Sequence, residues 1–350
     1  MVTLSKRILI KLEYKNNLSL IGETPVITVE NDLIPQDKVL KLKLEYYNPN
    51  FSIKDRTAIG LIEKAEEKGL LYPGMHIIES TSGNLGKSLA MIGAIKKYKV
   101  TLVVDPKIEK SMLNIYKAYG ANVVSVSTPD ENGSYQKVRI KRVKEIIDSD
   151  KENNYYWPNQ YENTDNSEYH YNYTGDEFLN IETDCIISAV STGGHICGIG
   201  KKIKENRNVK IIGADVEGSK IFGGESKPYL INGAGLSWTS QNLNFDSLDY
   251  CIKATDSLAI SLCRYFAKNN GLMLGGSSGL SLAGAIYMLN YTDVEVATAI
   301  IPDTGINYLN QIYDDNWVSE NTKILEDAEN ILNEIDNMKV WETKYEEFVQ

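Results

Sequence analysis

Val39-Leu40-Lys41-Leu42-Lys43-Leu44-Glu45 alternates apolar and polar side chains, the period-2 signature of a strand. Beyond a turn containing Pro49 the period changes. Ile59, Ile62 and Ala65 recur at helical spacing and Gly69 stands where a helix C′ residue belongs, so a helix is expected over Asp55–Lys68. Short apolar runs and amphipathic stretches then alternate down the chain. Strands are expected at Val26–Val29, Met75–Glu79, Val100–Val104, Asn122–Val126, Asp184–Val190, Val209–Val216, Tyr250–Ala254 and Val294–Ile301. Helices are expected at Asn84–Tyr98, Lys110–Tyr119, near Tyr135–Ile147, and at Gly194–Lys204, Asp256–Asn270 and Ser277–Leu289. An Asn/Tyr-rich stretch over 152–173 interrupts the pattern. Ile324, Ala328, Ile331 and Ile335 predict an amphipathic helix over Ser319–Met338, packed on the body or on a partner subunit.

Repeated strand–helix alternation predicts an α/β fold of two domains, each with a largely parallel twisted sheet flanked by helices. The expected division is an N-terminal arm over 1–20, a smaller domain over 46–160, a larger one from 21–45 plus 161–311, and a helical tail over 312–350. The 350 residues suffice for two cores. A net charge of −10 excludes a nucleic-acid or anionic-membrane surface, which needs clustered Lys and Arg. The start of the chain has no secretory apolar region and no run is long enough to span a bilayer, so a cytoplasmic protein is expected. Cys185, Cys197, Cys251 and Cys263 show no CxxC spacing and fall in apolar patterns, as reduced core thiols do. With His76, His170 and His195 the only histidines, no metal site is expected.

Ligands of open α/β sheets bind beyond the carboxyl ends of strands, which directs attention to the strand-to-helix turns. Asn48-Pro49-Asn50-Phe51-Ser52-Ile53-Lys54-Asp55-Arg56 presents Ser52 and Lys54 at the mouth of a helix. The field of a helix N-terminus and any burial oppose the ammonium form of Lys54 and favour its nucleophilic amine. Ser80-Thr81-Ser82-Gly83-Asn84-Leu85-Gly86 gathers donors suited to a carboxylate; the P-loop reading fails because Thr81 occupies the position of its first glycine. Ser191-Thr192-Gly193-Gly194-His195 suits a phosphate, while its glycine spacing is not the dinucleotide fingerprint. His195 there is either a phosphate donor or a helix-start residue facing solvent. In Gly275-Gly276-Ser277-Ser278-Gly279, Ser277 either caps a helix or aims its hydroxyl into the cleft.

Together these residues resemble the pyridoxal-phosphate enzymes of the tryptophan-synthase-β fold (fold type II), and within them the cysteine synthase and cystathionine β-synthase family, from about Gly22 to Leu309. The resemblance implies pyridoxal 5′-phosphate in the cleft between the domains, Lys54 as the Schiff-base lysine, and Thr81, Ser82, Gly83 and Asn84 as the substrate-carboxylate loop. Asn84 also lies beside the cofactor's phenolic oxygen on this comparison, and Gln160 completes carboxylate binding. Ser191, Thr192, Gly193, Gly194 and His195 look like the phosphate loop, and Ser277 like the hydroxyl facing the pyridine nitrogen. Gly233-Ala234-Gly235 resembles the loop closing over the substrate, and Pro302-Asp303-Thr304-Gly305 with Tyr308-Leu309 the late signature. The implied chemistry is β-elimination and β-replacement on L-cysteine or an O-activated serine through an α-aminoacrylate, with Lys54 and Ser82 as catalytic candidates; Asn232, which departs from the family, is a third candidate. The implied assembly is a homodimer acting on a small amino acid.

Departures from a typical cysteine synthase bear on the substrate. Leu85 stands where threonine is common, Ser191 for glycine, His195 for threonine, Lys87 for a small apolar residue and Asn307 for arginine. Asn232, just before Gly233, replaces an apolar residue; it either positions water or caps its loop. The favoured expectation is L-cysteine plus water giving L-serine and hydrogen sulfide. The alternatives are cysteine synthesis from O-acetylserine, synthesis of a diaminopropionate precursor from O-phosphoserine with Lys87 or Arg139 as cationic partner, and a non-catalytic regulatory protein that binds the cofactor.

Overall fold

The structure is a computed structural model that describes residues 13–131 and 134–343. The first part of the expected arm, 1–12, lies outside the described residues, as does 344–350. Its strands are β1 (Val26–Val29), β2 (Val39–Leu44), β3 (His76–Ser80), β4 (Lys99–Val104), β5 (Asn122–Ser125), β6 (Tyr155–Tyr156), β7 (Cys185–Ala189), β8 (Lys210–Val216), β9 (Tyr250–Ala254), β10 (Val296–Ile301) and β11 (Lys339–Glu342). They form a seven-stranded sheet in the order β1-β2-β10-β7-β8-β9-β11 and a four-stranded sheet in the order β5-β4-β3-β6. The small sheet is parallel throughout. The large one is parallel except at its margins, where β1 and β11 pair antiparallel with β2 and β9.

Helices cover both faces of each sheet. They are α1 (Lys54–Glu67), α2 (Asn84–Lys96), α3 (Lys110–Ala118), α4 (Gln136–Ser149), α5 (Asp165–Tyr169), α6 (Gly175–Leu179), α7 (Gly194–Asn206), α8 (Asp256–Asn270), α9 (Gly276–Tyr291), α10 (Asp315–Asn321) and α11 (Ala328–Asp336). The strand period decides which core each side chain enters. Cys185 and Ile187 of β7 pack with Leu258 and Leu282 of α8 and α9, while Ile186 turns to Ile196 and Ile199 of α7. In the small sheet Ile77 packs with Ala58 and Leu89 of α1 and α2, and its neighbour Ile78 faces Val143 of α4. Each fully buried Leu, Ile or Val among them contributes about 1.5–3 kcal/mol by leaving water.

Two stretches depart from expectation. Within 152–173, α5 leads through a π-helical turn, His170–Thr174, into α6. Asn and Tyr are poor helix formers, and packing overrides them here. Tyr169 lies where a Cβ on Gly60 would come within 2.4 Å, and the buried His170 ring bonds Thr57 Oγ1 and Thr174 Oγ1 at 2.9 Å each. The tail is not one helix over 319–338: α10 and α11 are separate, and β11 follows as an edge strand on β9. Asp327 breaks the run by capping α11 through the N–H of Asn330. All four cysteines are free and buried. Among the described residues no helix is long and apolar enough to cross a membrane.

Candidate active site

A cleft of about 530 Å³ is lined by residues of both sheets' loops, including Lys54, Thr81, Ser82, Gly83, Asn84, Gln160, Ser191, His195, Asn232, Gly233 and Ser277. Helix starts converge on it. The N-cap positions of α1, α2, α3, α4, α7 and α9 are Ile53, Gly83, Glu109, Tyr135, Gly193 and Gly275, and none contributes a side-chain cap. Ile53, Gly83, Glu109 and Tyr135 line the cleft themselves, and for α7 and α9 it is His195 and Ser277, two residues past the cap position, that do so. By contrast Thr255, Asp314 and Asp327 cap α8, α10 and α11 with their side chains, and none of them lines it. Helix N–H groups left without a side-chain acceptor are donors suited to a ligand's anionic groups.

Lys54 opens α1 on a turn pinned to the late signature: the Ile53 N–H donates to Pro302 O at 2.8 Å and the Thr304 N–H to Phe51 O at 3.3 Å. Burial lowers the Lys54 amine to about 8, with the Asp303 carboxylate opposing the shift. Its flanking residues tie the first turn down. Asp55 accepts from the Asn50 N–H at 2.7 Å and from Ser88 Oγ of α2 at 2.6 Å, so the helices carrying Lys54 and Asn84 are joined. Arg56 donates to Glu45 at 2.7 Å and 3.0 Å.

The Thr81–Asn84 loop follows β3. Tyr116 OH donates to Gly83 O at 2.7 Å from beneath, and a Cβ on Gly86 would lie 2.5 Å from that hydroxyl, which is why glycine stands there. Ser82 Oγ donates to Asp105 at 2.8 Å and accepts from Arg139 Nη1 at 2.5 Å; Arg139 also meets Asp105 at 2.6 Å. Asn84 Nδ2 donates to Asp303 at 2.7 Å. Gln160 is set by its backbone: its N–H donates to Glu79 at 3.3 Å, and its carbonyl accepts from Asn166 and Asn242 at 2.9 Å and 3.0 Å. Burial pushes the Glu79 carboxyl up to about 7 against its hydrogen bonds from Trp157 and the backbone.

Across the cleft, Gly193 takes φ +81°, a left-handed turn that glycine adopts freely, and begins α7. Thr192 Oγ1 accepts from Asn166 at 3.3 Å. His195 is buried, which overturns its reading as a solvent-facing residue; its Nε2 bonds Ser188 Oγ at 2.7 Å and its Nδ1 is buried without a partner. Burial and the Lys54 charge hold the imidazole down at about 3, so it is neutral at pH 7. Ser277 does not cap α9, whose cap position is Gly275; its Oγ lies 3.8 Å from where a Cβ on Gly233 would be. Asn232 is exposed, and its Nδ2 donates to Gln311 at 3.1 Å, which donates in turn to Glu109 at 2.6 Å. The cleft therefore gathers Lys54, the 81–84 loop, Gln160, the ends of the 191–195 loop, Asn232–Gly233 and Ser277. Thr192, Gly193 and Gly194 stand behind its wall.

The profile of the family described as Pyridoxal-phosphate dependent enzyme matches residues 18–303. The chain belongs to that family. A cysteine synthase from Entamoeba histolytica superposes with a TM-score of 0.84 at 28% identity, covering 96% of this chain and 99% of its own. An O-ureido-L-serine synthase gives 0.79 at 26%, over 88% and 99%. A hydrogen sulfide-producing enzyme from Fusobacterium nucleatum gives 0.78 at 30%, over 85% and 100%. This chain is thus a fold-type II pyridoxal-phosphate enzyme of the cysteine synthase type. The residues present suit the cofactor. The α7 start without a side-chain cap offers N–H donors suited to a phosphate, the buried His195 Nδ1 is a polar atom without a protein partner, and the Lys54 amine, at about 8, is freed far more readily than an ordinary lysine.

In the sequence Asp303 is legible only as part of the late signature, although it touches both Asn84 and, through charge, Lys54. Glu79 also went unassigned; a carboxylate closing an apolar strand was the available signal. Arg139 was a candidate cation with no location, and it lines the cleft, whereas Lys87 lies outside its lining.

Proposed function

We propose that the cleft carries out β-elimination and β-replacement on L-cysteine or an O-activated serine, with L-cysteine plus water giving L-serine and hydrogen sulfide as its favoured reaction. Pyridoxal phosphate supplies the electron sink that makes the Cα proton acidic. Lys54 is the amine that holds the cofactor and moves that proton. Thr81, Ser82, Gly83, Asn84 and Gln160 bind the α-carboxylate, the Ser191–His195 loop holds the phosphate, and Ser277 faces the ring nitrogen. Residues 46–160 act as the smaller unit and 21–45 with 161–311 as the larger, the division the strand–helix alternation suggests, in a cytoplasmic protein whose dimeric assembly the family resemblance implies.

The observation carrying the choice of water is the setting of Asn232. Its amide nitrogen is engaged by Gln311 while the next residue, Gly233, lies opposite Ser277, which leaves Asn232 Oδ1 as an acceptor able to orient a water at the cleft. The Fusobacterium hydrogen sulfide-producing enzyme supports sulfide as the leaving group. Incubating the holoenzyme with L-cysteine is expected to yield sulfide and serine in equal amounts; sulfide with pyruvate and ammonia in place of serine sinks the water-addition reading. Asn232→Asp supplies a base of the same shape and is expected to speed serine release, and an unchanged rate removes Asn232 from water handling.

A second reading is favoured by Arg139. A guanidinium lining the cleft on Ser82 suits the phosphate of O-phosphoserine. Phosphate release from O-phosphoserine that exceeds sulfide release from cysteine, and that falls in Arg139→Met, selects this reading. Turnover of O-acetylserine with sulfide in the same series would select cysteine synthesis.

A further inference from the structure

Lys87 and Asn307 both depart from the residues usual in a cysteine synthase, and the structure brings them together. Lys87 lies on the first turn of α2 with only 1% of its surface exposed, and its Nζ donates to Asn307 Oδ1 at 3.4 Å. Asn307 Nδ2 donates to Asn84 Oδ1 at 3.4 Å, and Asn84 Nδ2 donates to Asp303 Oδ2 at 2.7 Å. Tyr308 OH reaches the same carboxylate oxygen at 2.6 Å. Asp303 is buried, with 2% of its surface exposed.

The chemistry of the two ends sets the direction of this chain. An ammonium is a donor only, so Asn307 must turn its oxygen to Lys87 and its nitrogen to Asn84. A carboxylate accepts only, so Asn84 must turn its nitrogen to Asp303. Either amide flipped would set donor against donor or acceptor against acceptor at one of its neighbours. We propose that Lys87 is a positioning residue that, through Asn307, fixes the amide of Asn84 with its remaining N–H directed at the cofactor. The two 3.4 Å links are long, and the opposite charges at the ends polarise the chain and offset part of the desolvation of each. Burial pushes the Lys87 amine down and the Asp303 carboxyl up, and each opposes the other's shift, as two mutually supporting charges do.

The inference rests on Asn84 contacting the cofactor, and the variants separate the two claims. Binding of pyridoxal phosphate to the apoprotein, followed by its visible absorbance, is measured for Asn84→Ala, Lys87→Met and Asn307→Asp, with the thermal midpoint of each apoprotein alongside. Asn307→Asp tests the link to Asn84: its carboxylate pairs with Lys87 and preserves that charge contact, yet can donate neither to Asn84 nor to Asp303, which Asn307 also meets. All three variants are expected to weaken cofactor binding by about tenfold, the size of one net charge-assisted hydrogen bond. Asn307→Asp is expected to fold with a thermal midpoint somewhat below the parent's, because its carboxylate lies beside that of Asp303. Asn307→Asp binding as the parent does while Asn84→Ala binds weakly overturns the relay and leaves the Asn84 contact standing. Parent-like binding by Asn84→Ala overturns both. Parent-like binding by Lys87→Met overturns the role of Lys87, and should that variant fail to fold, Lys87→Leu is measured in its place.

Discussion

Lys54 shows what a single position carries. Its turn follows an alternating strand within a few residues, so local pattern alone located it at a helix mouth. Its setting at about 8 comes from burial under distant loops. A free amine is needed to capture an aldehyde, so the rate at which apoprotein takes up pyridoxal phosphate is expected to rise as pH passes through about 8 and then level off. An ordinary surface lysine, unshifted, would still be climbing at pH 10. Stopped-flow absorbance reads the difference, and Lys54→Ala is expected to lose the capture phase while binding the cofactor reversibly. Glu79 carried no such local signal, and the contacts of Asp303 and Arg139 were not legible either. Asp303 acts on Asn84 from 219 positions away and Arg139 on Ser82 from 57, separations at which sequence periodicity says nothing.

The periods of 2 and 3.6 residues placed nearly all the long helices and central strands, because parallel strands buried on both faces and amphipathic helices leave strong patterns. Elements that depend on their neighbours escaped. The π-turn at His170–Thr174 is held by Thr57, and β11 exists because β9 offers it an edge. The start of α2 illustrates how closely an element's position is set. Gly86→Ala places a Cβ 2.5 Å from the Tyr116 hydroxyl and is expected to cost about 1–3 kcal/mol by overpacking, displacing the ring that holds Gly83. Tyr116→Phe loses that bond without the collision and is expected to cost only about 1 kcal/mol. Thermal midpoints and substrate KM measured on both variants test this ordering: Gly86→Ala should raise KM more than Tyr116→Phe, and the reverse order would show that the hydroxyl, not the packing, sets the loop.

At the scale of the whole molecule, the junction behind Lys54 is ionic. Lys43 of β2, Glu45, Arg56 of α1 and Glu177 of α6 form a buried network, with Lys43–Glu177 and Arg56–Glu177 at 2.5 Å and Arg56–Glu45 at 2.7 Å. Burial pushes the Glu177 carboxyl up, but Arg56 and Lys43 overcome it and hold it down at about 2, against an ordinary 4.5. A carboxyl depressed in the folded state stabilises it fully above the ordinary value and progressively less as pH falls towards the folded one. Acid unfolding of the parent is therefore expected to draw on Glu177 between pH 4.5 and about 2, and Glu177→Gln should flatten the stability profile in that window, read by denaturant titration at stepped pH. Equal slopes in the two proteins would refute the assignment. The sequence by itself determined the α/β class, the strand-to-helix turns and the residue types offered there, because these follow from side-chain period and from backbone chemistry within a few residues. Only the tertiary structure decided which of those turns share one cleft, that Arg139 reaches it and Lys87 stands behind it, and that Lys87, Asn307, Asn84 and Asp303 line up with a single polarity. The physical reason is that burial and hydrogen-bond direction belong to groups brought together from distant parts of the chain, and neither exists until the two sheets have packed.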